Sequence, residues 1–169
     1  MSVIRQEIPD CQVKDAADQY MKALILLDKL PPMSGVLLPL INTSTIAIEL
    51  YLKSLSSEVI NTPKNSIGNM SVQTAKPQQV GHTLVKIFKK IPENYVAEMN
   101  KGYALIHSND SRSFEVVLNS LEGAFKQSRY PFEEGADISK YSLNDIKNVS
   151  QFLSDYVNDL EVKEAIYGC

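Results

Sequence analysis

Only two cysteines occur in the 169 residues, Cys11 and Cys169, near opposite ends of the chain. With no C-x-x-C pair and no Cys/His spacing, neither a zinc site nor a disulfide framework is suggested. Both side chains read as free thiols of a reducing compartment. A basic excess is missing as well: 17 Lys and Arg stand against 20 Asp and Glu, a net charge of −3. Proteins that coat nucleic acid without sequence preference draw their affinity from phosphate neutralisation, so any such contact here must be local. No apolar run approaches the ~20 residues that span a bilayer, and the opening MSVIRQEIPD lacks the apolar stretch of a signal peptide. The expectation is a cytoplasmic protein with no membrane association.

The motifs of common enzyme chemistries are absent too. GxxxxGK[ST] and GxGxxG do not occur, so no glycine-rich phosphate loop is present. Neither G-x-S-x-G nor H-E-x-x-H is found. With no Ser/His/Asp or Cys/His arrangement suggested, covalent catalysis has no candidate. No metal ligand set and no cofactor is called for.

What is there is helical. The apolar fraction of 44% and charged fraction of 22% belong to an ordinary globular protein, and the length suits one core, hence a single helical domain over residues 1–169. Val13, Ala17, Tyr20, Leu24 and Leu27 recur at steps of four and three, one apolar helix face. Pro31-Pro32 stops that helix. The next is predicted over 36–56, starting near or a few residues after Gly35 because Pro39 falls in its first turns. Apolar side chains from Leu37 to Leu55 surround it almost completely, so other helices must surround it. Residues 56–80 are polar, proline-punctuated and without period, and read as a long mobile loop or lid. Short helices are predicted with Leu84, Val85, Phe88 and Ile91, and, after Pro92, with Tyr95, Met99, Tyr103 and Ile106. Phe114, Val117, Leu118, Leu121 and Phe125 define a fifth, and residues 128–141 are irregular. Ser142 and Asp145 resemble a capping box ahead of a long final helix through Leu160. The predicted fold is all-α, an antiparallel bundle of five or six helices.

Three polar features stand out. Glu49 sits inside the most apolar helix, where a carboxylate is costly unless paired, and Lys53 lies four residues on, in the favourable orientation. Glu49 is either half of a structural ion pair or part of a polar pocket that meets a second charge from 128–134. His82, in GHTL, heads a helix, whose partial positive charge favours neutral imidazole. It serves as acceptor or base, or else it or Thr83 caps the helix. His107 lies in a polar turn and reads as solvated. The stretch Arg129-Tyr130-Pro131-Phe132-Glu133-Glu134 can order a loop through charge-assisted hydrogen bonds. Its guanidinium suits phosphate, or pairs with Glu49 or Glu133 while Tyr130 packs inward.

In order, AIELYLKSL (47–55), GHTLVKIFKKIP (81–92) and RYPFE (129–133) resemble the HEPN superfamily, helical domains named for higher eukaryotes and prokaryotes nucleotide-binding. The likeness covers roughly residues 13–160. It implies an antiparallel bundle, a homodimer, and a ligand site of Glu49, Lys53, His82, Arg129, Tyr130 and Glu133 beside the central helix. Similar members include metal-independent ribonucleases, partners of minimal nucleotidyltransferases in toxin–antitoxin pairs, and non-catalytic binding domains. The nucleases use R-x4-6-H. Here Arg129 is followed by YPFEEGADI and Arg112 by SFEVVLNS, with no histidine at that spacing. The expected function is therefore a non-catalytic HEPN-like binding domain for a nucleotide, a nucleic-acid end or a partner protein. The alternatives are a metal-independent endoribonuclease using His82 and Arg129, and a toxin–antitoxin-type interaction protein.

Overall fold

In a computed structural model, residues 3–5, 8–63, 71–77 and 81–167 are described. Helix α1 spans Cys11–Asp28. Its first turn is capped by Asp10, whose Oδ1 accepts the Val13 amide at 2.9 Å and so satisfies one of the donors a helix start leaves open. Two prolines shortly after its end bar continuation. Helix α2, Leu37–Ser54, starts two residues after Gly35 (φ +74°). Pro39 lies in its first turn, where a missing amide costs nothing. Leu40, Ile41, Ala47, Ile48, Tyr51 and Leu52 are all buried, so α2 is enclosed as its composition predicts. The polar residues it carries inward are satisfied locally: Ser44 donates to Leu40 O at 2.7 Å and Thr45 to Ile41 O at 2.9 Å.

Within 56–80, expected to be an irregular loop, residues 57–63 and 71–77 are instead paired strands, and 64–70 and 78–80 lie outside the described residues. Strand β1 is Val3–Arg5, β2 is Ser57–Pro63 and β3 is Ser71–Pro77, in sheet order β1-β2-β3. All pairing is antiparallel, with Ile4 opposite Ile60, and with β2 and β3 in register from Ser57↔Pro77 to Pro63↔Ser71. Prolines stand only at strand ends, where the ladder tolerates a missing donor.

Helix α3 is Leu84–Phe88 and α4 is Glu93–Ile106, with Pro92 as the α4 cap residue. The helix predicted through Phe125 is divided into α5, Phe114–Ser120, and α6, Ala124–Arg129. Gly123 makes the break at φ +83°, a conformation in which a side chain would be strained. A 3-10 turn at Ile138–Lys140 precedes α7, Leu143–Tyr167. The capping box is half-formed: Ser142 Oγ accepts the Asp145 amide at 3.1 Å, but the Asp145 carboxylate is engaged by Arg112.

Helices α1, α3, α6 and α7 pack on α2 or beside it around one buried cluster. Tyr103, Phe114 and Phe152 meet pairwise there at centroid distances of 4.9–5.2 Å. Lys147 pairs with Asp28, and Ser154 lies near Tyr51, which bonds Asp18. Helix α7 therefore runs antiparallel to α1. Asn42 meets Ser128, while Glu49 reaches His82, whose ring packs tilted against Phe125. Helix α6 thus descends antiparallel to α2. The architecture is an all-α bundle carrying a small antiparallel sheet.

Candidate polar site on the central helix

Glu49 is the centre of the site. Its side chain is only 9% exposed, and a carboxylate so placed needs partners for both oxygens. Oε1 accepts from Lys53 Nζ at 2.6 Å, one turn along α2. Oε2 lies 2.7 Å from His82 Nδ1. The predicted Glu49–Lys53 pair is therefore present, and the second partner is His82 rather than a charge from 128–134. Helical spacing brings the first, and the return of the chain after β3 brings the second.

An ionised carboxylate only accepts, so Nδ1 of His82 donates and Nε2 is the nitrogen left for other partners. The imidazole side chain is 62% exposed. Its ring rests on Phe125 at a centroid distance of 4.8 Å, so one face is backed by α6 and the orientation is fixed at two points. Neutral, Nε2 accepts a hydrogen bond; protonated, it donates one. Neither His82 nor Thr83 caps α3 with its side chain; Glu122 Oε1 takes the Val85 amide instead, at 2.9 Å.

The other three predicted site residues lie elsewhere. Arg129 ends α6 next to Ser128, at the level of Asn42 rather than Glu49. Seven residues of α2 separate those levels, about 10 Å at 1.5 Å per residue. Among the described residues Arg129 makes no ion pair, with Glu49 or Glu133 or any other; its guanidinium sits 5.5 Å from the Tyr130 ring centroid. Tyr130 is not packed inward but 36% exposed, and Phe132, 82% exposed, meets it edge-on at 6.2 Å. Glu133 pairs with Lys126 at 3.1 Å. The six residues thus form two patches, Glu49–Lys53–His82 and Arg129–Tyr130–Glu133, because α6 runs away from Glu49 before it ends.

His107 is half-buried, its ring 4.3 Å from that of Tyr103, and not simply solvated. Beside it lies a cluster that the sequence reading missed. Arg112 forks onto Asp110 and Asp145, with Nη2 at 2.6 Å from Asp110 Oδ2 and Nη1 at 2.9 Å from Asp145 Oδ2. Those hydrogen bonds hold the Asp110 carboxyl well below its usual range, at about 2. The arrangement fastens the 107–112 turn to the start of α7. Its only sequence signal is an arginine two residues after an aspartate.

Cys11 lies on exposed surface and forms no disulfide among the described residues, and Cys169 lies outside them. Among the described residues no group of three or more His, Cys, Asp or Glu could hold a metal ion, and no helix is long and apolar enough to cross a membrane. No family model, no curated protein and no solved structure matches this chain.

Proposed function

We propose that the chain is a non-catalytic binding domain of the HEPN-like kind, taking a nucleotide or nucleic-acid end at the Glu49–Lys53–His82 site. The observation that carries this reading is the convergence of those three side chains with the outer imidazole nitrogen left for a ligand. The second patch fits the same ligand class. Arg129 suits a phosphate, and the exposed rings of Tyr130 and Phe132 offer faces on which bases stack. A mononucleotide occupies one patch, whereas an oligonucleotide end extends over both.

Titration of the full chain with AMP and with short single-stranded RNAs tests this. The expected result is saturable binding, tighter for RNA, weakened by His82→Ala and by Arg129→Ala. No saturable binding, or binding indifferent to both substitutions, overturns it. The acidic balance of the chain makes a generic RNA-coating role a poor alternative.

One observation favours a second reading, a metal-independent ribonuclease. A carboxylate holding Nδ1 of a histidine is how a general base is oriented. Against it stands Arg129, about 10 Å along α2 from the imidazole's partner. This reading requires RNA cleavage in EDTA that disappears in His82→Ala; intact RNA after prolonged incubation removes it. The resemblance also carries a homodimer, a partner protein and a cytoplasmic setting into the proposal. Sedimentation of the purified chain and co-purification with a neighbouring gene product address the first two.

A further inference from the structure

Glu49 and Tyr51 lie two residues apart on α2 and so point to opposite sides of it. On the Tyr51 side, α1 and α7 leave an open cavity of about 240 Å³. Its walls include the apolar side chains of Met21 and Ile25, and its polar groups are Asp18, Lys22, Tyr51, Ser154 and Asn158, contributed by three helices. Tyr51 is wholly buried. Its hydroxyl donates to Asp18 Oδ1 at 2.6 Å and lies 3.1 Å from Ser154 Oγ. Burial, then the bond to Asp18, push the Tyr51 hydroxyl above its ordinary range, so it stays a phenol. Lys14, itself buried, gives Nζ to Asp18 Oδ2 at 2.6 Å.

We infer that this cavity is a second binding site, for a small ligand that carries an ammonium group on an apolar body. The hydrogen-bonding valences decide the class. Each Asp18 oxygen has accepted one bond and retains a second acceptor position, and the side chain is 23% exposed. The Tyr51 proton is committed to Asp18. Asn158 donates Nδ2 to Ser154 O at 2.8 Å, which leaves its carbonyl oxygen. Lys22 apart, what faces the cavity is therefore mainly acceptors, and a donor answers them. Asp155, one of the charges acting on Tyr51, adds negative potential beside the cavity. Among the described wall residues Lys22 is the one cation, and it is exposed, so its ammonium can remain in water while its stem lines the wall. The cavity volume falls below the range of sites for drug-sized ligands. A nucleotide, large and anionic, is the wrong occupant. This site is separate from the Glu49 site and does not rest on the function proposed for it.

Benzylamine is a suitable probe, with benzyl alcohol and benzoate as isosteric controls, followed by amide chemical shifts of the full-length chain. Saturable shifts centred on residues 18–25, 51 and 154–158 are expected for benzylamine alone. Asp18→Asn weakens binding about tenfold by removing the charge from the charge-assisted bond, and Asn158→Asp tightens it about threefold by adding one. No binding, equal binding of benzoate or benzyl alcohol, or unchanged affinity in a folded Asp18→Asn protein overturns the inference. Should Asp18→Asn fail to fold, Asn158→Asp decides, since an exposed substitution that leaves affinity unchanged also overturns it.

Discussion

Replacing Lys53 by Met isolates the electrostatic part of the Glu49 site. The two side chains have similar unbranched stems and similar helix propensity, so packing along α2 changes little while the ammonium disappears. Glu49 then keeps its carboxylate at 9% exposure with one bond lost, that of 2.6 Å to Nζ. Stripping the partner from a fully buried ion costs about 3–5 kcal/mol. Here the loss is smaller, because Lys53 is 15% exposed and His82 still holds the other oxygen. A destabilisation of about 2 kcal/mol follows, which for a chain of this length lowers the melting temperature by about 4–8 °C. Urea unfolding measures it, and the slope with denaturant should not change. The double variant Glu49→Gln/Lys53→Met should recover most of the loss, since an uncharged amide leaves no orphaned charge. If Lys53→Met lies within about 0.5 kcal/mol of the parent, Glu49 behaves as an ordinary surface acid and its buried-centre role is refuted.

Three further outcomes are expected. Asp110, held at about 2 by its hydrogen bonds to Arg112 against a usual 3.8, binds its proton less readily folded than unfolded. Its contribution to stability is therefore complete above the ordinary carboxylate range and lost as pH falls through about 2; Arg112→Met should return the carboxyl toward 3.8 in a carbon-detected NMR titration. Gly123→Ala places a Cβ at positive φ and 3.1 Å from the Tyr141 hydroxyl, which should cost about 1–2 kcal/mol by thermal unfolding and disturb the 3.0 Å bond from Tyr141 to Glu122 O. Leu52→Ala, at a fully buried position of α2, should cost about 2–5 kcal/mol in urea unfolding.

The helices were legible because their signal is local. Four or five apolar residues at helical spacing lie within one segment, as in Val13 to Leu27, and the prolines at 31, 32 and 92 mark breaks without help from the rest of the chain. The hairpin was not, because SEVINTP and SVQTAKP each show little apolar pattern, and their order comes from pairing with one another and with Val3–Arg5, more than 50 residues away in the chain. Gly123 was missed for a related reason: apolar periodicity passes through Leu121 and Phe125 undisturbed, and only the backbone angle reveals the break.

The site divided along the same line. Glu49 and Lys53 are joined by helix geometry, so their pairing could be read directly. His82 is brought in from 33 residues away, where the sequence offered a reactive side chain at a helix start but no partner for it. Arg129 looked equally suitable, yet α6 and α2 are antiparallel, so each further residue toward the arginine carries it away from Glu49. Direction of a helix, unlike its existence, is not written in its periodicity. The same limit hid the opposite face of α2, where Tyr51 counted as one more apolar residue. Its hydroxyl bridges from α2 to α1 and α7 through Asp18 and Ser154, and a helix enclosed on all sides can thus carry two unrelated polar clusters two residues apart.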